Sequence, residues 1–299
     1  MTKALVLSGG GSVGIAWEIG VAAGLARAGV DVRDAGFITG TSAGSAVGAQ
    51  LALRRDLEEL VERQHDIGRR ASANPANSAS SSAGESAVQR MAELFALVAQ
   101  TMASDESPEA RRAEIGRFAL AADALPEDRF VASFRYLKGE PWPTQFSCTA
   151  VDALSGEVAV WDAESGAELD QAVASSCAVP GLFAPVTING RRYIDGGFRS
   201  GTNADLASGH DRVLIISLLG AVGGGGAQGA RITPFGQLDS EVAALTESGS
   251  VVEVIEADQT AAQRMGINLM DPAAISAAVG EGIRQGESAA NRLREFWSG

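Results

Sequence analysis

Ala4-Leu5-Val6-Leu7-Ser8-Gly9-Gly10-Gly11-Ser12-Val13-Gly14 opens with a continuous apolar run, Ala4–Leu7, that gives way to glycines. Four consecutive apolar residues closed by a turn signal read as a short parallel strand buried on both faces. From about Ser12 to Ala28 the pattern becomes helical, and Gly29 stands where a helix would stop. A second apolar run, Phe37–Thr39, ends in Gly40. Helical periodicity then resumes from about Gly44 to Ile67, with Leu51, Leu57, Leu60 and Val61 near one face. Strand, glycine turn and helix, repeated once, is the grammar of an α/β fold.

Beyond this unit the composition changes. Residues 71–87 are nearly all Ala, Ser, Asn and Gly, too poor in large apolar groups to fold alone, and are expected to form a flexible connection. Val88, Met91, Phe95, Val98 and Met102 then recur at helical spacing, and a second helical stretch runs from Pro108 to Ala124. Strand patterns return at Gln145–Val151 and Glu157–Trp161, followed by a helix at Glu168–Cys177 and strands at Val186–Ile188 and Arg192–Ile194. Val213–Leu218 is the clearest buried strand, a glycine-rich loop covers Gly220–Gly229, and Val251–Ile255 is a late strand. The expected architecture is a three-layer α/β/α fold with a mainly parallel central sheet. It forms one domain over residues 1–299, with a helical insertion at about 68–140 and a C-terminal helical segment at about 259–297.

Composition narrows the chemistry. At 299 residues and 45% apolar content the chain needs no staples, because a chain of this size hides roughly three quarters of its extended surface. The two cysteines, Cys148 and Cys177, cannot form a disulfide framework, and with only His65 and His210 besides, no metal site is expected. Acidic residues outnumber basic ones 37 to 24, and the formal charge of −13 argues against nucleic-acid partners. The opening residues carry too short an apolar core for a signal peptide, and no run approaches the roughly 18 apolar residues that cross a bilayer. A cytoplasmic protein is the expectation. An acidic chain can still act on lipids through local contacts, so a membrane surface is an expected transient partner.

Three short motifs carry chemistry. Gly9-Gly10-Gly11-Ser12-Val13-Gly14 leaves backbone N–H groups unshielded at a helix N-terminus, where free donors and the positive dipole end favour an anion. A dinucleotide site is the rival reading of these glycines, but it wants an acid at the end of the second strand, and Gly40-Thr41-Ser42 stands there instead. Gly40-Thr41-Ser42-Ala43-Gly44 is a Gly-x-Ser-x-Gly between strand and helix, which either exposes Ser42 as a nucleophile on a strained turn or merely caps the helix. Ile194-Asp195-Gly196-Gly197 follows a strand and by itself is an ordinary turn. Ser42, Asp195 and His210 also occur in the chain order of an α/β-hydrolase triad, although Ser42 follows only the second strand.

These motifs, with Ala174-Ser175-Ser176-Cys177-Ala178-Val179-Pro180-Gly181-Leu182-Phe183 and Asn203, resemble the patatin-like phospholipase family over most of residues 3–218, outside the helical part. The resemblance implies a serine acyl hydrolase that cleaves carboxylic esters of lipids without a cofactor, its substrate a lipid or another acyl ester. It implies Ser42 as nucleophile and Asp195 as its base. Backbone N–H groups of Gly9, Gly10, Gly11, Ser12 and Ala43 would form the oxyanion hole, and Gly14, Gly40, Gly44, Gly196 and Gly197 are the motif glycines. Many members carry Arg or Lys just before the last glycine of the first motif, where this chain has Val13, which argues against phospholipid preference and leaves neutral lipids, lysolipids and small acyl esters open. The alternatives are a regulatory module that holds a nucleotide or phosphate on the Gly9–Gly14 loop, and an inactive scaffold of the same fold.

Overall fold

A computed structural model of the chain describes residues 1–73, 82–218 and 238–298. Strands β1 (Lys3–Leu7), β2 (Phe37–Gly40), β3 (Phe146–Asp152), β7 (Arg212–Ser217) and β8 (Val251–Glu256) run parallel in the order β3-β2-β1-β7-β8. Three antiparallel strands, β4 (Val158–Trp161), β5 (Val186–Ile188) and β6 (Arg191–Asp195), extend the β3 side. The chain order reverses at β1, which has β2 on one side and β7 on the other. In open parallel sheets such a reversal leaves a crevice beyond the carboxyl ends of the strands.

Side-chain alternation along the strands builds the outer layers. Leu5, Leu7, Ile38, Leu214 and Ile216 face a core shared with α1 (Gly11–Arg27), α2 (Ala43–Ala52), α3 (Leu57–Ala73), α7 (Leu169–Ser176) and the C-terminal helix α10 (Ile275–Ser298). Ala4, Val6, Val213 and Ile215 face the opposite way, towards Leu245 of α8 (Leu238–Glu247). On that second face Val151 and Ile194 pack under Leu94 and Val98 of α4 (Ser82–Met102) and Ile115 and Ala119 of α5 (Pro108–Ala121). Of the apolar stripe read on α4, Val98 is core and Met91 packs half-buried against it, whereas Val88, Phe95 and Met102 are exposed; the other core residue of this helix, Leu94, lies outside the stripe. A short helix α6 (Glu127–Val131) leads back to the sheet, and α9 (Gln259–Met265) precedes α10.

Several boundaries differ from expectation for local reasons. The single helix expected over Gly44–Ile67 is two, because Arg54 adopts φ 52° and ends α2, while the Asp56 carboxylate caps the Glu59 N–H at 3.0 Å and starts α3. Asp56 and Glu59 have the spacing of a capping box, a start signal inside the periodic run. The connection expected at 71–87 is helical at both ends, with 74–81 outside the described residues, as is the glycine-rich loop at 220–229. The C-terminal helical segment is broken at Gly266, which takes φ 72°.

Candidate active site

Pairing along β3 brings the second and third motifs together. Cys148 pairs with Gly40 of β2 and also with Trp161 of β4, so those strands lie on opposite edges of β3. Ala150 and Val151 pair with β4 and with Asp195 and Ile194 of β6, which puts β6 on the β2 edge. Strands β2 and β6 thus approach head to head along one edge, and their carboxyl ends, carrying Ser42 and Asp195, abut.

The turn after β2 is locked. Thr41 N–H donates to the Leu7 carbonyl at 3.0 Å and Gly44 N–H to the Ser8 carbonyl at 2.9 Å. A Cβ on Gly40 would sit 2.2 Å from the Gly44 carbonyl, and one on Gly44 2.2 Å from the Leu7 carbonyl, so both glycines answer to close backbone approach. Between them Ser42 is held at φ 53°, ψ −116°, a conformation costly for a residue with a Cβ. Its N–H donates to Ser176 Oγ at 3.0 Å, and its carbonyl accepts from Ser45 Oγ at 2.6 Å and Cys177 Sγ at 3.0 Å.

Asp195 is buried, and the Ser42 hydroxyl is close enough to its carboxylate to hold its pKa down. Gly197 N–H donates to Asp195 Oδ1 at 2.7 Å, and Asp195 N–H donates to the Ala178 carbonyl at 3.1 Å. Burial pushes the Asp195 pKa up to about 7, against the opposing effect of the bonds from Ser42 and Gly197. Residues 176–178 therefore brace both Ser42 and Asp195. Asn203 adds a second brace: its amide donates to Thr41 Oγ1 at 2.9 Å, Thr149 Oγ1 at 3.1 Å and the Ser200 carbonyl at 2.7 Å.

The glycine loop after β1 lies against Ser42: a Cβ on Gly9 would be 3.6 Å from Ser42 Cβ. Gly9 itself departs from expectation, since its N–H is committed to the Gly201 carbonyl at 2.8 Å. Val13 N–H is likewise taken, by the Leu269 carbonyl at 3.0 Å, and the Val13 side chain is fully buried in the core. Neither α1 nor α2 has a side-chain cap. Among the described residues the Gly10, Gly11, Ser12 and Ala43 N–H groups have no acceptor. Two helix N-termini with four unspent donors thus converge beside one hydroxyl, an arrangement suited to a developing negative charge.

The histidines are elsewhere. His210 stacks on Phe37 at the amino end of β2, with ring centroids 5.1 Å apart. The strand from Phe37 to Gly40 spans about 10 Å at about 3.3 Å per residue, so His210, whose Nδ1 lies 3.0 Å from the Ala207 carbonyl, stands at the end of β2 opposite Ser42 and is not placed to act as its base. His65 is half-buried on α3. Asp31 and Asp34, the acids nearest β2 in the chain, precede it and pair with Arg33 and Arg54. A groove of about 630 Å³ lined in part by Arg112, Arg191 and Arg199 includes neither Ser42 nor Asp195. Each of those arginines is paired with an acid, Glu109, Asp152 and Asp205 among them. No group of three potential metal ligands occurs among the described residues.

A family model described as patatin-like phospholipase matches residues 5–208. Uncharacterized NTE family proteins of Mycobacterium bovis and Mycobacterium tuberculosis are 31% identical over 116 residues, covering 35% of this chain. The chain covers 30% of the length of those relatives. Among solved structures, VipD from Legionella pneumophila aligns with 97% of this chain and 67% of its own, at 13% identity and a TM-score of 0.45. The type III effector protein ExoU aligns with 96% of this chain and 53% of its own, at 18% identity and a TM-score of 0.37.

Proposed function

The chain belongs to the patatin-like phospholipase family, and on that premise we propose that it is a serine acyl hydrolase cleaving carboxylic esters of lipids through a Ser42–Asp195 dyad. The observation that carries this reading is a buried carboxylate within reach of a strained serine hydroxyl, beside four backbone donors without acceptors. The Asp195 carboxylate takes the Ser42 proton as Oγ attacks the ester carbonyl carbon, and the resulting oxyanion is held by the N–H groups of Gly10, Gly11, Ser12 and Ala43. Asp195, now neutral, returns the proton to the departing alcohol. Water then attacks the acyl-serine, giving its proton to Asp195, which passes it to Ser42 Oγ as the acyl–serine bond breaks, so that a carboxylic acid is released and both Ser42 and the Asp195 carboxylate are restored. A carboxyl whose pKa is pushed up to about 7 is well matched to both halves of this exchange near neutral pH.

The buried Val13 supports esters without an anionic headgroup as preferred substrates. Assay on a short p-nitrophenyl ester tests the dyad. Ser42→Ala is expected to lower turnover by roughly a thousandfold or more, and Asp195→Asn by at least about a hundredfold, with His210→Ala near wild type. Undiminished turnover in either of the first two, with the fold intact, sinks the proposal.

A further inference from the structure

Beside Ser8, where β1 runs into the glycine loop, stands an acid that the proposed chemistry does not use. Glu18 on α1 is fully buried, and neither carboxyl oxygen has a hydrogen-bond partner. Ser8 is the polar residue beside it, and Cys177 lies within electrostatic range. Burial pushes the Glu18 pKa well above its ordinary value, against the opposing effect of Ser8, and so favours the protonated acid. An orphaned buried carboxyl costs several times more than a satisfied one.

The Ser8 hydroxyl has a place for that proton. It donates to the Gly9 carbonyl at 2.9 Å and accepts from Leu218 N–H at 3.1 Å. A hydroxyl oxygen has two lone pairs, so one remains to accept from an acid. The carbonyl it holds belongs to the peptide whose other end is Gly10 N–H, one of the four free donors. Fixing the carbonyl fixes the plane, and a bond to the carbonyl polarises the N–H opposite.

We propose that Glu18 and Ser8 form a buried orienting pair beside the oxyanion loop, in which the Glu18 acid donates to the Ser8 hydroxyl and Ser8 in turn aims the Gly10 N–H at the substrate. Both are positioning residues, and the inference rests on the acyl-hydrolase reading above.

The test compares Glu18→Leu, Glu18→Gln and Ser8→Ala in the full chain, reading kcat, KM and thermal midpoint with a p-nitrophenyl ester. Glu18→Leu removes the donor and an orphaned polar group together, so kcat falls about tenfold or more at unchanged KM while the midpoint holds or rises. Glu18→Gln keeps an N–H donor and restores kcat to within about threefold of wild type. Ser8→Ala matches Glu18→Leu, and the double variant is no slower than either single, as for two residues in one chain of bonds. Wild-type kcat in Glu18→Leu, a loss confined to KM, or Glu18→Gln as slow as Glu18→Leu overturns the inference. Should Glu18→Leu fail to fold, Ser8→Ala against Glu18→Gln decides in the same way. If wild type turns over with Ser42 dependence but ignores these substitutions, only the orienting pair fails. If wild type does not turn over at all, the hydrolase reading fails and takes the pair with it.

Discussion

Ser42 is held at a positive φ by its surroundings and not by its own preference, with Ser176, Cys177 and Ser45 gripping its peptide from both ends. Strain of this kind costs roughly 1–3 kcal/mol, and glycine relieves it. Ser42→Gly is therefore expected to raise stability by about 1 kcal/mol in denaturant unfolding while losing activity, whereas Ser42→Ala loses activity without the gain. Asp195 has the opposite signature. Its folded pKa of about 7 exceeds its ordinary 3.8, so between these values the native chain binds more protons than the unfolded one. Stability from this group is present at acid pH, declines as pH rises through about 7 and is flat above it. Asp195→Asn should then raise the thermal midpoint at about pH 8 and leave it little changed at about pH 4, the reverse of its effect on turnover. The wild-type kcat/KM profile should show an acid limb near 7, where the base loses its last proton. At this scale the motif residues were legible in the sequence, because glycine spacing reports backbone approach directly. Gly9 was not: its N–H is spent on Gly201, a contact between loops nearly two hundred residues apart that local spacing cannot reveal.

Helices α1 and α10 meet through glycines on both partners. A Cβ on Gly20 or Gly24 would fall 2.3 or 2.2 Å from the Val279 or Ile283 carbonyl, and one on Gly282 or Gly286 would fall 2.2 or 2.3 Å from that of Trp17 or Val21. The backbones touch there, so Gly282→Ala should cost about 1–3 kcal/mol in denaturant unfolding through overpacking, far from Ser42. A cost confined to about half a kcal/mol would show that the helices can separate freely. The packing matters for the site because α1 carries the glycine loop at its amino end. Four-residue glycine spacing is visible in both segments, but nothing in either one names the other as its partner. Helix α7 teaches the same lesson. Ala174–Phe183 stands out in the sequence as a resemblance, whereas its physical role, bracing Ser42 and Asp195 through Ser176, Cys177 and Ala178, emerges only once β2 and β6 share an edge. The strands themselves were readable from continuous apolar runs, and the break between α2 and α3 was encoded in Asp56 and Glu59, a signal that stronger periodicity on either side obscured.

The molecule as a whole gathers its chemistry at one end of the sheet. The first glycine loop, Ser42 and Asp195 come from three separate strand ends, gathered at the carboxyl edge of the sheet next to the reversal at β1. The formal charge of −13 repels anionic surfaces over about a Debye length. Hydrolysis of a lipid ester should accordingly be faster in zwitterionic vesicles than in anionic ones at low salt, with the difference shrinking as salt is added; faster turnover on anionic vesicles would contradict it. Among the described residues no helix is long and apolar enough to cross a membrane. Labelling with a fluorophosphonate, followed by peptide mass spectrometry, asks directly whether Ser42 is an activated nucleophile, because only such a group reacts. One adduct per chain is expected, located on Ser42 and formed at least about a hundredfold more slowly in Asp195→Asn. Folded protein that takes no label, carries it elsewhere, or labels as fast without Asp195 would contradict it.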